Sequence, residues 1–339
     1  MAFVTGTTWT HATANSLTYG TNIREDLEDV IWELDPMDTW ALTNLDRVDA
    51  KSTFHEWLSD DLAAPGANIV EEGNDASFST ASPAPRLGNF LQISWKTFIV
   101  SDTLEAVDKA GRKTETGRLG TKLMKELKRD MEYALVRNQA SSIGGAGTGR
   151  SSAGMESWIA GPTANTANTI ANAVAATTSA ASTTTPGFSG GTVAAPTDGA
   201  TTGALTVGNL NMALAGSWED GGDPRVILVG PTQKAAIDAF TGVATRFIDT
   251  APNKQAPIVG AANMYVSSYG SPHMVTLSRY VRSSVVLCLD PDYWAVAYLR
   301  KPAVVNLAKT GDATKKMLIT EYGLVCRNPK ASAKVVACT

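Results

Sequence analysis

The chain has 339 residues, of which 43% are hydrophobic and 18% are charged, and its formal net charge is −4. The charged share is below the quarter or so that is usual for a soluble domain. This favours a chain whose surface is largely covered by neighbouring subunits, although a large core would give the same count. The sequence contains no basic tail or run of lysines and arginines, which excludes a tight, sequence-specific nucleic-acid-binding protein.

The cysteines and the apolar segments argue against several further classes of protein. Cys288, Cys326 and Cys338 are odd in number and form no Cys-x-x-Cys pair. This argues against a disulfide scaffold and a zinc site, and predicts buried thiols in a reducing cytoplasm. The first fifteen residues lack the basic and apolar regions of a signal peptide. Because the apolar runs are too short to span a bilayer, we expect no membrane association.

The N-terminal segment divides into an extended part and a short helix. Residues 1–14 are small, polar and rich in threonine, and they predict an extended arm. Residues 19–33 carry apolar positions at helical spacing, and Pro36 is expected to end this helix because it disfavours helix in the preceding residue. The apolar positions are Leu27, Val30, Ile31 and Leu34. The acidic face of this helix is predicted either to be solvated or to form ion pairs with another subunit.

Two predicted strands follow, separated by a long loop. Residues 46–57 alternate weakly, and residues 90–100 place Ile93, Trp95, Thr97 and Ile99 on one side. The intervening residues 60–89 are rich in proline and glycine. Compact monomers rarely contain loops of this length, and such loops are usually functional or disordered. We therefore expect the loop to act as an arm that lies on a neighbouring subunit.

The next segment carries the strongest helical pattern. Ser101 or Asp102 can cap a helix, with Glu105 placed to reach back as in a capping box, and Gly111 is expected to interrupt or kink the helix. From Glu115 onward an apolar residue recurs at every fourth position, which predicts a long amphipathic helix with one packed face. The members of this stripe are Leu119, Leu123, Leu127, Met131 and Leu135.

The second half of the chain begins with an uncharged segment and continues as a compact α/β pattern. Residues 144–154 are a glycine-rich break, and no charged residue occurs between Glu156 and Asp198, which predicts an insertion or surface loop. Helices are predicted at residues 207–217 and 231–240, on either side of a buried strand at 225–230. The later strands are predicted at residues 264–267, 274–277, 284–289, 294–299, 304–307, 317–320 and 324–327.

Residue types that support catalysis are present but form no recognisable site. His11, His55 and His273 match no metal-binding spacing, and no Gly-x-Ser-x-Gly motif offers a nucleophile. The glycine run at 144–149 follows a helix and lacks a Gly-Lys-Ser/Thr ending, so a flexible hinge is favoured over a phosphate-binding loop. We therefore predict no catalytic residue, no metal and no cofactor, and a structural subunit rather than an enzyme.

A series of short motifs occurs in a distinctive order along the chain. Its residues are Tyr19, Arg24, Asp26, Leu27, Trp57, Asp60, Glu72, Gly73, Ser101, Gly111, Glu115, Glu126, Asp130 and Glu132, followed by Glu321, Leu324, Asn328 and Ala331. In order and spacing these residues resemble the major capsid proteins of tailed bacteriophages with the Hong Kong 97 fold, in the branch typified by elongated-head podoviruses. The resemblance covers the first 160 residues well and the last 20 moderately. Trp40 departs from it, because the family is expected to favour proline after Asp-Thr.

The resemblance implies an α+β, Hong Kong 97-type capsid fold. Its expected parts are an N-terminal arm (1–45), an extended loop hairpin (46–100), a peripheral domain with a long spine helix (101–160), an Ala/Thr-rich insertion or surface loop (161–204), an α/β axial domain (205–318) and a strand that returns to the peripheral domain (319–339). The implied function is self-assembly as pentamers and hexamers into an icosahedral or elongated virion capsid around double-stranded DNA, in the host bacterial cytoplasm. Gly111, Gly144, Gly145 and Gly147 are candidate hinges for fitting one subunit into both rings.

The resemblance also sets expectations for partners. We expect a separate scaffolding protein, because the recognisable motifs begin by Tyr19 and leave no long N-terminal scaffolding segment. A portal, a decoration protein and non-specifically contacted DNA are the other expected partners. Two alternatives stay open: a cellular nanocompartment shell of the same fold, which would enclose a cargo protein, and another virion structural protein such as a tail component.

Overall fold

The computed structural model describes residues 31–159, 187–196, 202–240 and 263–339, with single gaps at 32, 37, 61, 63, 64, 77, 79, 81, 82, 110 and 190, and the backbone of 173–175. Most of the predicted N-terminal arm, including the motif residues Tyr19, Arg24, Asp26 and Leu27, lies outside the described residues. So does most of the helix predicted at 19–33. Its last described positions, Ile31 and Glu33, belong to no helix.

The described elements are six helices and fourteen strands. The helices are α1 (Trp40–Asn44), α2 (Asp102–Ala106), α3 (Glu115–Val136), α4 (Met155–Trp158), α5 (Val207–Glu219) and α6 (Pro231–Asp238). The strands are β1 (Asp46–Asp49), β2 (Phe54–Leu58), β3 (Arg86–Phe90), β4 (Gln92–Ser101), β5 (Ala173–Ala175), β6 (Gly187–Ser189), β7 (Thr192–Ala194), β8 (Val226–Val229), β9 (Met264–Val266), β10 (Pro272–Leu277), β11 (Val286–Leu289), β12 (Trp294–Asn306), β13 (Ala313–Cys326) and β14 (Ala333–Val336). Short 3-10 turns precede β12 and β14.

The long helix α3 lies on a four-stranded sheet with strand order β1-β12-β13-β4. The predicted amphipathic stripe packs as expected in its second half, where Leu127, Met131 and Leu135 are each 1% exposed. On the sheet, β4 alternates between the two faces: Phe98 packs into the core under the helix, while its neighbour Ile99 is exposed on the other side. One face of this sheet is therefore covered by α3.

A second sheet of six strands has the order β5-β14-β11-β8-β10-β9 and carries α5 and α6. Its central strands are apolar on both faces, as expected for a sheet buried on both sides. One face packs against the helices through residues such as Ile227. The other face contributes Leu228 and Leu287 to the core that also contains Trp294 and Tyr322 of the first sheet. The two sheets therefore share one hydrophobic core.

Strand pairing changes several predicted boundaries. Residues 46–57 form two strands that belong to different sheets. The backbone N–H of Ala50 makes the last hydrogen bond to β12, at the Tyr298 carbonyl, and the chain then bends away from β12. The strands predicted at 294–299 and 304–307 are one strand, since irregular register near Pro302 absorbs the proline within it. The strands predicted at 317–320 and 324–327 are likewise one strand, β13.

The last part of the chain contributes strands to both sheets. The α3-bearing sheet takes up the chain again at Trp294, because β12 and β13 pair with each other and with β1 and β4. The final strand β14 pairs instead with β11 of the α/β sheet. Sequence order alone does not reveal which of these strands joins which sheet, because each strand is apolar enough to suit either sheet.

The start of the α3 region follows the prediction in part. The Ser101 hydroxyl accepts a hydrogen bond from the backbone N–H of Leu104 (3.2 Å) and caps α2. Glu105 does not close a capping box: its carboxylate accepts from the N–H of Glu115 (3.0 Å) and so caps the next helix. Gly111 lies between the two helices with φ of 73°. This left-handed conformation suits glycine and interrupts the helix, as predicted.

Candidate assembly surfaces

Glu132 anchors the root of the N-terminal arm to α3. Its side chain is fully buried, and its two carboxylate oxygens accept hydrogen bonds from the backbone N–H groups of Ala41 (2.8 Å) and Leu42 (3.0 Å). These N–H groups open α1 and have no partner within that helix. Burial raises the pKa of Glu132 to about 7, against the opposing effect of the backbone hydrogen bonds. Glu132 therefore acts as a cap supplied from a distant helix.

We expect Glu132→Gln to remove a pH dependence of stability. The folded-state pKa lies above the ordinary value of 4.5, so the folded protein holds an extra proton between about pH 4.5 and about 7. Stability from this group is complete below pH 4.5 and is lost as the pH rises towards 7, with a slope of up to about 1.4 kcal/mol per pH unit. Urea unfolding of both proteins across this range measures the difference. Parallel pH profiles of the two proteins would contradict this account of Glu132.

Three further motif carboxylates lie along α3. Asp130 forms an ion pair with Lys96 of β4 (2.7 Å), and Glu126 lies beside it in a cleft of about 440 Å³. Glu115, at the start of the helix, is 5% exposed and pairs with Arg118 (2.6 Å) and with Arg112. The hydrogen bond from Arg118 is the main cause that lowers the pKa of Glu115. The pair of Asp130 with Lys96 joins α3 to β4, and the pair of Glu115 with Arg112 joins it to the preceding loop.

Another buried carboxylate of the motif series is Glu321 on β13. It is 3% exposed and pairs with both Arg150 and Arg300 (2.9 Å). Arg150 also donates to the Leu91 carbonyl (3.2 Å). The partners lie 171 and 21 residues away along the chain, so no local sequence signal identifies the cluster. It holds the β3–β4 junction and the glycine-rich turn against β13.

Two more buried polar residues escaped sequence reasoning. Asn89 is 1% exposed, donates to the Leu324 carbonyl (2.7 Å) and accepts from the Ala153 N–H (3.0 Å). Glu156 is 1% exposed and pairs with Arg282. Both join segments that are far apart in sequence, and their only sequence signal is a polar residue within an otherwise apolar stretch.

The sheet face opposite α3 is open over the β4 end and carries a row of exposed apolar side chains there, with Lys315 at one end opposite Ile99 and Glu321 at the other opposite Ile93. The predicted one-sided row of β4 is exposed there: Ile93 is 46% exposed, and Trp95 and Ile99 are each 60% exposed. Residues that pair directly across strands share a face, so Ile319, opposite Trp95, belongs to the same surface, as do Met317 and Val305. β4 is also the edge strand of this sheet. We call this surface the β4 face.

The hairpin of β2 and β3 and its long loop form a second exposed apolar surface. Trp57 of β2 is partly buried against Trp158, with ring centroids 5.5 Å apart, which fixes the base of the hairpin. Beyond it, Leu62, Ile69 and Phe78 are between 90% and 100% exposed. A soluble monomer rarely leaves several large apolar side chains so exposed in one segment.

The remaining motif residues of this segment lie along the loop and its turn. Asp60 lies two residues after the end of β2, and Glu72 and Gly73 form an exposed turn in which Gly73 has φ of 82°. The described residues between β2 and β3 carry no helix or strand, as predicted.

The glycine run after α3 forms a tight turn. Gly145 and Thr148 exchange two backbone hydrogen bonds of 3.0 and 3.1 Å. Gly144 and Gly147 have φ of 76° and 81°, and a Cβ on Gly144 would lie 2.7 Å from the Thr148 carbonyl oxygen. The phosphate-loop alternative receives no support from this geometry, because the turn follows a helix and leads into a β-bridge between Ser142 and Ser151.

His11 lies outside the described residues, while His55 is partly buried and His273 and the three cysteines are buried. All three cysteines are buried thiols that form no disulfide, and burial raises the pKa of Cys288 to about 12, which keeps the thiol protonated. Burial lowers the pKa of His55 and of His273. Within the described ranges no cluster of metal-ligating side chains occurs, and no helix there is both long and apolar enough to cross a bilayer.

Comparison with known proteins decides the family. Residues 4–339 match the model of the family described as SU10 major capsid protein. The chain belongs to this family. This major capsid protein is also 26% identical to the major capsid protein of Escherichia phage Phieco32 over 329 residues, which cover 88% of this chain and 90% of the relative.

Solved structures confirm the Hong Kong 97-type α+β fold. The capsid protein of a native GTA particle, computed with C5 symmetry, superposes with a TM-score of 0.61 at 10% identity and covers 94% of this chain and 96% of its own. The capsid protein of cyanophage A-1(L) has a TM-score of 0.61 at 13% identity, covering 94% and 97%. That of cyanophage P-SCSP1u has a TM-score of 0.58 at 10% identity, covering 98% and 100%. The resemblance drawn from the motifs is therefore correct.

Proposed function

We propose that this capsid protein assembles as pentamers and hexamers into the closed head of a tailed phage, and that its role is structural, without catalysis. The observation that carries the proposal is the pair of exposed apolar surfaces, the β4 face and the loop beyond β2, on a family member. Apolar surface of this kind contributes about 25 cal/mol per Å² when a neighbour covers it. The entropy lost when arms and loops become ordered offsets part of this favourable free energy. Each contact between subunits can therefore be weak, because a closed shell contains many such contacts.

The parts of the fold suggest a division of labour within the shell. Residues up to about 45 act as an arm, and the hairpin of residues 54–90 overlaps an adjacent subunit. The unit carrying α3 forms the periphery of each ring, and the α/β sheet with α5 and α6 lies towards its axis. The head-to-tail contact that builds a ring must serve both pentamers and hexamers.

The proposed partners follow from the same role. A separate scaffolding protein guides assembly in the host bacterial cytoplasm, and a portal and a decoration protein complete the head. Packaged double-stranded DNA is contacted without sequence preference. Many described lysines and arginines are paired with carboxylates of the same chain, among them Lys96, Arg225 and Arg300. This pairing is consistent with weak, non-specific contact with DNA.

The candidate hinges give a testable part of this proposal. Gly111→Ala forces a side chain into the left-handed region, at a cost of about 1–2 kcal/mol. We expect folded subunits whose yield of uniform closed shells drops, because the α2–α3 connection can no longer adjust between ring types. Gly311→Ala, at an open position outside the left-handed region in the connection between β12 and β13, is the matched control. Normal shells from the Gly111 variant, counted by electron microscopy, would rule out a hinge at this position.

Sedimentation after expression tests the proposed function. We expect the protein to form large particles when it is co-expressed with its scaffolding protein, and the nucleic acid content of mature particles to separate a phage head from a nanocompartment. A defined cargo protein in place of DNA would favour the nanocompartment alternative. Fibres or small rings under all conditions would favour a tail component.

A further inference from the structure

Two neighbouring segments of the α/β unit contain no charged residue. Residues 202–218, which include all of α5 except Glu219, have no Asp, Glu, Lys or Arg, and neither do residues 263–278, which form β9 and β10. Both segments nevertheless expose large side chains. In a chain of which 18% is charged, two such segments at the surface need a physical reason. Depletion of charge is typical of the buried centre of a protein–protein interface.

Side-chain contacts hold these two segments in a defined position relative to each other. The Tyr265 hydroxyl donates a hydrogen bond to Asn211 Oδ1 (2.7 Å), and Asn211 Nδ2 donates to the Ser268 hydroxyl oxygen (2.9 Å). Trp218 lies nearly parallel to Tyr269, with ring centroids 6.5 Å apart. Helix α5 is therefore fixed against the β9–β10 turn, and the surfaces of the two segments move together.

One face of the β9–β10 pair is an exposed apolar shelf. Met264 pairs with Met274 and Val266 pairs with Pro272, so these four side chains share a face. Met264, Val266 and Met274 are between 41% and 60% exposed. The alternate residue Val275 points to the other face, into the core that α5 and α6 cover. We call the four residues the methionine shelf.

The outer side of α5 presents a second apolar surface, beyond the opposite face of the sheet. Leu210 and Leu214 of α5 pack on the sheet face that the shelf does not occupy. Met212 lies about 200° around the helix from Leu210, on the side away from the sheet, and is 59% exposed. Trp218, near the end of the helix, is 63% exposed. We call Met212, Trp218 and the exposed Gly208 between them and the start of the helix the α5 face.

Charged residues begin immediately outside these two surfaces. Glu219 and Asp220 follow Trp218, Arg279 follows Ser278, and all three charged side chains are exposed. A charge-free centre that is rich in methionine and aromatic residues, with a charged rim, is the composition of a protein–protein interface. A nucleic acid is disfavoured as the partner, because neither surface contains a cation.

We propose that the α5 face of one copy packs on the methionine shelf of the next copy, and that this is a head-to-tail contact of each ring. The inference rests on the proposed function, since a ring requires two unlike surfaces on different sides of every subunit. The α5 face and the shelf meet this requirement, because they lie on opposite sides of one sheet.

The methionines suit a contact that must close rings of two sizes. Methionine is unbranched and has three rotatable bonds, so it fills irregular gaps and tolerates different packing arrangements. Met212 on the α5 face and Met264 and Met274 on the shelf supply this adaptability on both sides of the contact. The same residues therefore pack at the different angles between neighbours in a pentamer and in a hexamer.

Cysteine cross-linking in assembled particles tests the contact. Met212→Cys is combined with Met264→Cys or with Met274→Cys, and particles formed with the scaffolding protein are treated with a short bis-maleimide. The native thiols are buried and do not compete. We expect at least one double variant to give a ladder on a denaturing gel that ends at five and six linked chains. The single variants should remain single chains, because Met212 of one copy faces the shelf of the next and not another Met212.

The possible failures of this experiment are distinguishable. Normal particles that give no ladder with either pair would overturn the contact, whatever else covers the two surfaces, and would leave the shell function intact. Linked chains from Met212→Cys alone would also overturn it, because they require two copies of α5 to face each other. A wild-type chain that forms no shells with its scaffold would instead refute the proposed function itself.

Met274→Asp tests the same contact without cross-linking. Met274 is 60% exposed in the subunit, so the variant should fold, whereas in the contact its carboxylate would be buried without a partner. We expect the yield of closed shells, counted by electron microscopy, to fall at least about 10-fold. Met274→Leu is the matched control and should assemble normally, because it conserves volume and apolar character. Equal shell yields from the two variants would overturn the role of the shelf.

Discussion

Replacing Trp95 by aspartate should abolish shell assembly while leaving a folded subunit. Trp95 is 60% exposed at the centre of the β4 face, so the substitution removes little from the subunit's own core. In a shell the same side chain would be covered by a neighbour, and a carboxylate there would be desolvated without a partner. A loss of about 3 kcal/mol at each contact lowers the association constant more than 100-fold. Sedimentation and electron microscopy measure the particle yield.

The control for Trp95→Asp is a charge change away from this surface. Lys51→Asp alters an exposed bend between β1 and β2 and changes the net charge by more than Trp95→Asp does. We expect normal particles from the Lys51 variant. If Trp95→Asp also assembled with wild-type yield, the β4 face would not be a subunit contact.

Gly154→Ala should have the largest effect on folding. A Cβ at this position would lie 1.9 Å from the Arg137 carbonyl oxygen and 3.1 Å from that of Ala134. Both are backbone atoms at the end of α3, so they cannot rotate away. The clash displaces the short helix α4, which places the fully buried Trp158 in the core. We expect the free energy of unfolding to fall by about 3 kcal/mol, measured by urea denaturation.

Gly145→Ala is the matched control for this substitution. Its Cβ would meet nothing within 4 Å, and its backbone is not in the left-handed region. We expect a change within about 0.5 kcal/mol. A Gly154 variant as stable as the Gly145 variant would show that the end of α3 can shift, contrary to the tight packing seen here.

Elements with a strong local pattern were predictable from sequence. The apolar stripe of the long helix α3 repeats over five turns, which predicts this helix. The elements α5, β8 and α6 are predictable because each has a clear hydrophobic period and is bounded by residues that begin or end such elements. The alternation of apolar residues on β4 is visible in the sequence, but the sequence does not show which face of the sheet they occupy. A row of apolar residues on one side of a strand predicts a buried face. Only the position of α3 on the opposite face shows that this row is exposed.

The features that sequence could not provide depend on pairs far apart along the chain. The assignment of β12 and β13 to the first sheet rests on their pairing with β1 and β4, about 200 residues earlier. Glu321 and Asn89 are unremarkable polar residues until distant segments surround them. Of the motif residues, Glu132 shows this best: its position was identified by resemblance, while its role as a cap for α1 needed the structure.

Electron microscopy of the sedimenting fraction, from cells that express this chain with its scaffolding protein, tests the central claim most directly. The account predicts closed shells whose surface resolves into pentamers and hexamers, with density from a neighbouring subunit over Trp95 and the β4 face. Particles of this kind with the β4 face open to solvent would contradict the proposed contact. A failure to form any shell, sheet or tube under these conditions would contradict the assembly function as a whole.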